Sequence, residues 1–71
     1  MPDMTPVSSS MIEAVGYDAD NHELHIQFVT TGEIYAYYNV EEWVYTEMLS
    51  ADSVGSYFHA NIKNAYEYGK L

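Results

Sequence analysis

The stretch SVGSYFHANIK, residues 53 to 63, gathers the residue types from which a small anion site is built. A Ser-x-Gly-Ser entry to a helix offers unpaired backbone N–H groups at the positive end of the helix dipole. Ser53 and Ser56 add hydroxyl donors, and the N–H groups after Gly55 face the anion. Lys63 brings a counter-charge, and Tyr57 or His59 supplies a ring for a base. The same residues also have a purely structural use: Ser53 or Ser56 caps the helix and Gly55 permits the turn. Both readings stand on the sequence alone.

Other constellations offer less chemistry. His22 falls in a turn, His25 on a strand and His59 on a distant helix, so no pair has the spacing of metal ligands on one helix face, and no cysteine assists. The carboxylates are scattered over polar positions, with none in an apolar run that would raise its pKa toward general-acid work. Ser8, Ser9 and Ser10 lack a nucleophile-elbow setting and instead suit hydrogen bonding to the backbone before the first strand. The expectation is a non-enzyme with no catalytic residue, no metal and no cofactor.

Charge narrows the partners. The chain of 71 residues carries eleven acids against two lysines, Lys63 and Lys70, for a net charge of -9. Binding along a nucleic-acid backbone draws on clustered cations that release counterions, so long nucleic acid is disfavoured. An acidic surface suits solubility or docking onto a basic partner. With 48% hydrophobic residues the chain reads as one globular domain, and the absence of cysteine fits a reducing compartment without demanding one. No apolar run approaches a membrane span and no leader is visible, so the expected location is cytoplasmic, in a bacterium or a phage-infected host.

The elements that must position these residues follow from periodicity. Residues 1–10 read as an irregular lead-in and 11–71 as a single domain. Residues 11–18 form a strand, ADNH a turn, and 23–30 a second strand alternating Leu24, Ile26 and Phe28 with His25, Gln27 and Val29. A two-residue turn at Thr31-Gly32 leads to a third strand over 33–39, pairing Phe28 with Tyr35 and Ile26 with Tyr37. Tyr35 and Tyr37 then share the apolar face with Leu24, Ile26, Phe28, Val15 and Tyr17, which favours core rings with hydroxyls at the edge over an open stacking platform for bases. Asn39 caps a helix that buries Val40, Trp43, Val44, Met48 and Ala51. After ADSVGS a second helix runs through YFHANIKNAYEY, burying Phe58, Ile62, Ala65 and Tyr66. The expected fold class is α+β: a three-stranded antiparallel meander followed by two helices on one face, β-β-β-α-α.

Helices on one face leave Ile12, Ala14, Val29, Ile34, Ala36 and Tyr38 on the other, a mildly apolar patch. A homo-oligomer that buries this patch is the natural expectation.

Ser9, Ser10 and Ile12, then Val15-Gly16-Tyr17-Asp18, Leu24, Phe28 and Gly32 together resemble the first half of the KTSC domain. Its central Tyr-x-Tyr matches Tyr35 and Tyr37, and Val40, Val44-Tyr45, Ala51, Ser53, Gly55, Tyr57-Phe58 and Ile62 match its helical half in spacing. Departures fall at Glu41, Met48 and His59, where the family pattern often has Pro, Leu and Asn. The resemblance spans about residues 6–70 and implies a small domain found alone or at the C-terminus of some lysyl-tRNA synthetases. It also implies, by association, an RNA-binding accessory role, against which the charge argues. The residues themselves favour a small binding module for a partner protein or a compact nucleotide-like ligand. A cellular adaptor and a phage-type protein that sequesters a nucleotide signal or blocks a host factor fit that reading equally.

Overall fold

Period-two alternation builds the middle of the molecule and helical periodicity builds its cover. The computed structural model describes residues 3–71. In chain order these form β1 (Thr5–Pro6), β2 (Ile12–Asp18), β3 (Glu23–Phe28), β4 (Ile34–Tyr37), α1 (Glu42–Ser50), α2 (Val54–Asn61) and β5 (Tyr68–Lys70). The strands make one antiparallel sheet in the order β1-β2-β3-β4-β5. The α+β class and the helical pair hold, but the sheet has five strands where three were expected. Thr5–Pro6 of the expected lead-in pairs with Ala14 and Val15, and Tyr68–Lys70, from the last residue of the expected second helix onward, pairs with Tyr35, Ala36 and Tyr37.

The hairpin from β3 to β4 shows why a wrong register left the faces right. Ile26 lies opposite Tyr35 and Leu24 opposite Tyr37, two residues away from the expected pairing. The turn holds four residues, Val29 to Gly32, closed by a bond from the Gly32 N–H to the Phe28 carbonyl (2.8 Å). Gly32 adopts φ 73°, a conformation that side chains resist. Because strand side chains alternate with period two, a two-residue slip keeps every ring on its face.

On the helix-covered face, Ile12, Val15, Leu24, Ile26 and Tyr37 meet Val40, Val44, Met48, Val54, Phe58 and Ile62 in one buried cluster. Phe58 is its centre, edge-on to both Phe28 (5.7 Å) and Tyr37 (5.4 Å). Ile12 belongs here because the pairing shifts between Ile12 and Ala14, a bulge at exposed Glu13 that turns Ile12 toward the helices.

The other face is closed by the chain itself. A cross-strand row runs Gly16, His25, Ala36, Gly69. A Cβ on Gly16 would lie 2.8 Å from the Asp3 carbonyl oxygen and 2.9 Å from the Met4 sulfur, so residues 3 and 4 lie directly on the sheet there. A Cβ on Gly69 would lie 2.6 Å from the Tyr38 hydroxyl, so that phenol lies over the opposite end. The expected oligomer patch is therefore not an open surface. Ile12 faces the core, Ala14 and Ala36 are buried, Ile34 and Tyr38 are half-buried, and Val29 stands exposed in the β3–β4 turn.

The helices also differ from expectation. Asn39 does not cap α1; it takes φ 59° and turns the chain so that buried Val40 donates its N–H to the His22 carbonyl at 2.9 Å. Asparagine tolerates that left-handed conformation better than most residues. Trp43 lies on the outer face of α1, 58% exposed, and Tyr45 takes the inward place, stacked on Tyr17. Helix α2 stops at Asn61, leaving Ala65 exposed, because the chain must turn to bring Tyr68 to the sheet edge.

Two stability experiments probe this arrangement. In chemical denaturation, Phe58→Ala is expected to cost about 3–5 kcal/mol, as for a buried ring, whereas Trp43→Ala stays within about 0.5 kcal/mol, as for a surface change. Gly16→Val should destabilise the fold and weaken hydrogen-exchange protection at the Val15 amide, since its Cβ cannot coexist with the Asp3 backbone. Unchanged melting of Gly16→Val would mean that residues 3 and 4 do not cover the sheet.

Candidate functional site

Helix α2 begins at a serine-lined groove of about 660 Å³, with Ser8 to Met11 on one wall and Ser53, Gly55, Ser56 and His59 on the other. Ser53 is the N-cap in extended conformation: its hydroxyl oxygen accepts the Ser56 N–H (3.2 Å) and its carbonyl accepts the Tyr57 N–H (3.0 Å). The cap thus uses donors that the anion reading left free. Gly55 is buried, and a Cβ there would lie 3.1 Å from Ser9 Oγ and 3.3 Å from the Met11 methyl. It serves close approach of the N-terminal segment, not a turn. Ser9 Oγ in turn accepts the N–H groups of Met11 and Ile12, both at 3.2 Å. Asp52 also lines the groove and opposes an anion there. The serines are a seam that ties the lead-in to α2.

Met11 is shared with a second, aromatic groove of about 410 Å³. Its walls are Phe28, Tyr35, Tyr37 and Tyr68, and Thr30, Thr31, Glu33, Lys63 and Asn64 also line it. Tyr35 packs edge-on to Phe28 (5.6 Å) and tilted against Tyr68 (5.8 Å), while Tyr37 lies 5.2 Å from Tyr68. Tyr37 is a core ring, as its register implied. Tyr35 is half-buried and Tyr68 is 56% exposed, so both offer ring surface to a ligand. At the rim the Lys70 ammonium meets the Glu33 carboxylate at 2.7 Å, a hydrogen bond and charge pair that hold the Lys70 pKa up. That pairing cancels the groove's acid. Lys63, the other lysine, forms no ion pair among the described residues.

The expected site set is thus divided. Ser53, Gly55, Ser56 and His59 line the serine groove, and Lys63 lines the aromatic one. Tyr57 lines neither; its hydroxyl donates to Glu47 Oε1 on α1. Phe28, Tyr35 and Tyr68 were missed as a group because Tyr68 was read as the end of the second helix. The alternation of Tyr66 and Tyr68 ahead of Gly69 was the signal available. Among the described residues, no three His, Asp or Glu side chains converge on a metal-sized site, and no helix is long and apolar enough to cross a membrane.

A family model for the KTSC domain matches residues 8–66. A protein from Tsukamurella paurometabola is 42% identical over 60 residues, covering 84% of this chain and 88% of that protein. A lysine–tRNA ligase from Nostoc sp. is 37% identical over 62 residues, covering 87% of this chain but 11% of the ligase. The crystal structure of a KTSC domain protein from Yersinia pestis superposes with a TM-score of 0.94 at 39% identity, covering 100% of this chain and 99% of that one.

Two phenols give the arrangement a pH signature. Tyr57 is pushed up to about 12, chiefly by its hydrogen bond to Glu47, and Tyr37 to about 12, chiefly by burial. Both folded values lie above the ordinary value of 10, so their contribution to stability is complete below pH 10 and is lost as pH rises toward 12. Tyrosinate absorbance should show these two titrating late, and Tyr57→Phe should remove part of the fall in stability across that window. Glu47→Gln should let one tyrosine titrate earlier, and an unchanged titration curve in that variant would contradict the Glu47 contact.

Proposed function

This chain belongs to the KTSC domain family, and we propose that it serves as a small non-enzymatic binding module for a compact nucleotide-like ligand. The observation that carries this reading is the aromatic groove with Lys63 at its edge in a chain of net charge -9. Tyr35 and Tyr68 offer faces on which a base can stack, an interaction worth about 1–3 kcal/mol per base. Lys63 meets the phosphate, and Thr30 and Asn64 are within the same lining to hydrogen-bond a sugar or base edge. A compact anion suits the charge. Fields beyond about 10 Å are screened at moderate salt, so one local lysine can hold a small phosphate while the acidic remainder repels a long polyanion.

The match to part of a lysine–tRNA ligase favours a second reading, an RNA-binding accessory domain, and the same experiment separates the two. Calorimetry with mono- and dinucleotides and with single-stranded RNA is run at low and moderate salt, on wild type, Lys63→Glu and Tyr68→Ala. The expected result is nucleotide binding that changes little with salt, since few counterions are released, and that falls by roughly tenfold in either variant. RNA binding that weakens steeply with salt would support the accessory role. Silence across the panel would leave a partner protein as the ligand.

A further inference from the structure

His25 is 4% exposed, on the sheet face away from the helices. Its Nε2 lies 3.2 Å from Glu23 Oε1, and an ionised carboxylate can only accept, so Nε2 carries the proton. In the neutral ring the lone pair is then on Nδ1. That atom is buried and has no hydrogen-bond partner among the described residues. Buried acceptors are seldom left so, because burial removes the water that would satisfy them. An imidazole whose N–H is held by a carboxylate while its other nitrogen stays free is the usual form of a metal-ligating histidine.

A second donor lies on the same face. Gly16 is the cross-strand partner of His25, and the Cβ positions of such partners lie about 5 Å apart. The Met4 sulfur is 2.9 Å from where a Gly16 Cβ would be, so the thioether neighbours the imidazole. Met4 serves as a flexible apolar cover for the sheet, but that use leaves Nδ1 unpaired. Met4 is half-buried, and its rotatable bonds let the sulfur move against the ring.

We propose that His25 Nδ1 and Met4 Sδ form a site for a soft monovalent metal ion, copper(I) or its analogue silver(I). Thioether sulfur selects such an ion, and imidazole nitrogen suits it too. Zinc asks for more nitrogen, oxygen or thiolate ligands, and among the described residues no three His, Asp or Glu converge. The ion would fasten the lead-in to the sheet at the point where Gly16 lets it approach. This site is separate from the aromatic groove and does not depend on the nucleotide reading.

The test titrates silver nitrate, and in parallel zinc nitrate, into the whole chain in chloride-free buffer. Binding is read by calorimetry, and its place by the His25 ring nitrogen and Met4 methyl resonances. One silver ion per chain should bind, shift both sets of resonances and raise the melting temperature. Zinc should bind at least a hundredfold more weakly. Met4→Leu should keep the melting temperature of the metal-free protein but weaken silver binding by tenfold or more. Glu23→Gln, which alters the group that orients the ring, should weaken it several-fold. No silver binding by wild type, binding that leaves the His25 and Met4 resonances in place, full affinity in Met4→Leu, or zinc binding as tight as silver would each overturn the assignment.

Discussion

Glycines at the two ends of one cross-strand row let this short chain cover the second face of its own sheet. Gly16 and Gly69 stand at the two ends of the row, with His25 and Ala36 between them. Backbone at Asp3 and Met4 comes against the first glycine and the Tyr38 ring against the last. A larger side chain at Gly16 would collide with the Asp3 backbone and lift that cover, whereas one at Gly69 would displace the end of the Tyr38 ring. With 71 residues and no disulfide, a second helical layer is out of reach, so the cover has to come from single strands and single rings. Among the described residues His25 is the buried polar side chain, its Nε2 3.2 Å from Glu23 Oε1 and its Nδ1 without a hydrogen-bond partner.

The same economy decides where ligands can go. One face is filled by two short helices and the other by the chain end, and two grooves run along the borders between layers. The serine groove follows the border between lead-in and α2, and its polar groups are spent on holding that border together. The aromatic groove follows the border where β5 extends the sheet beyond the reach of α2, so Tyr35 and Tyr68 keep open ring surface. Charge then distinguishes two places on a small body. Lys63 marks the aromatic groove, while Glu41 and Glu42 mark the corner beside Trp43.

Period-two alternation in β3 and the fixed reach of the first turn made the central sheet legible. Val15 faces Ile26 and Tyr17 faces Leu24 because a loop of Ala19 to His22 sets that register. What escaped reading was non-local. The bulge at Glu13 reverses Ile12 without any local mark in the residue pattern, and so takes that one residue off the supposed oligomer face. Trp43 and Tyr45 compete for the inward side of α1, and the Tyr17 ring chooses Tyr45 by stacking at 5.6 Å. Strand β5 carries Tyr68-Gly69-Lys70, whose glycine makes sense only once Tyr38 is seen to lie over it. For the site, Ser53 was correctly suspected as a cap, while Tyr57 was drawn away by Glu47 from across the helix pair.

The central claim is that the second sheet face is covered within one chain. Nuclear Overhauser contacts in a sample mixing isotope-labelled and unlabelled protein measure this directly. The account predicts contacts between the Met4 side chain and the Gly16 α-protons, and between the Tyr38 ring and Gly69, within the labelled chain alone. Contacts that appear only between labelled and unlabelled chains, or none at all across these pairs, would contradict it.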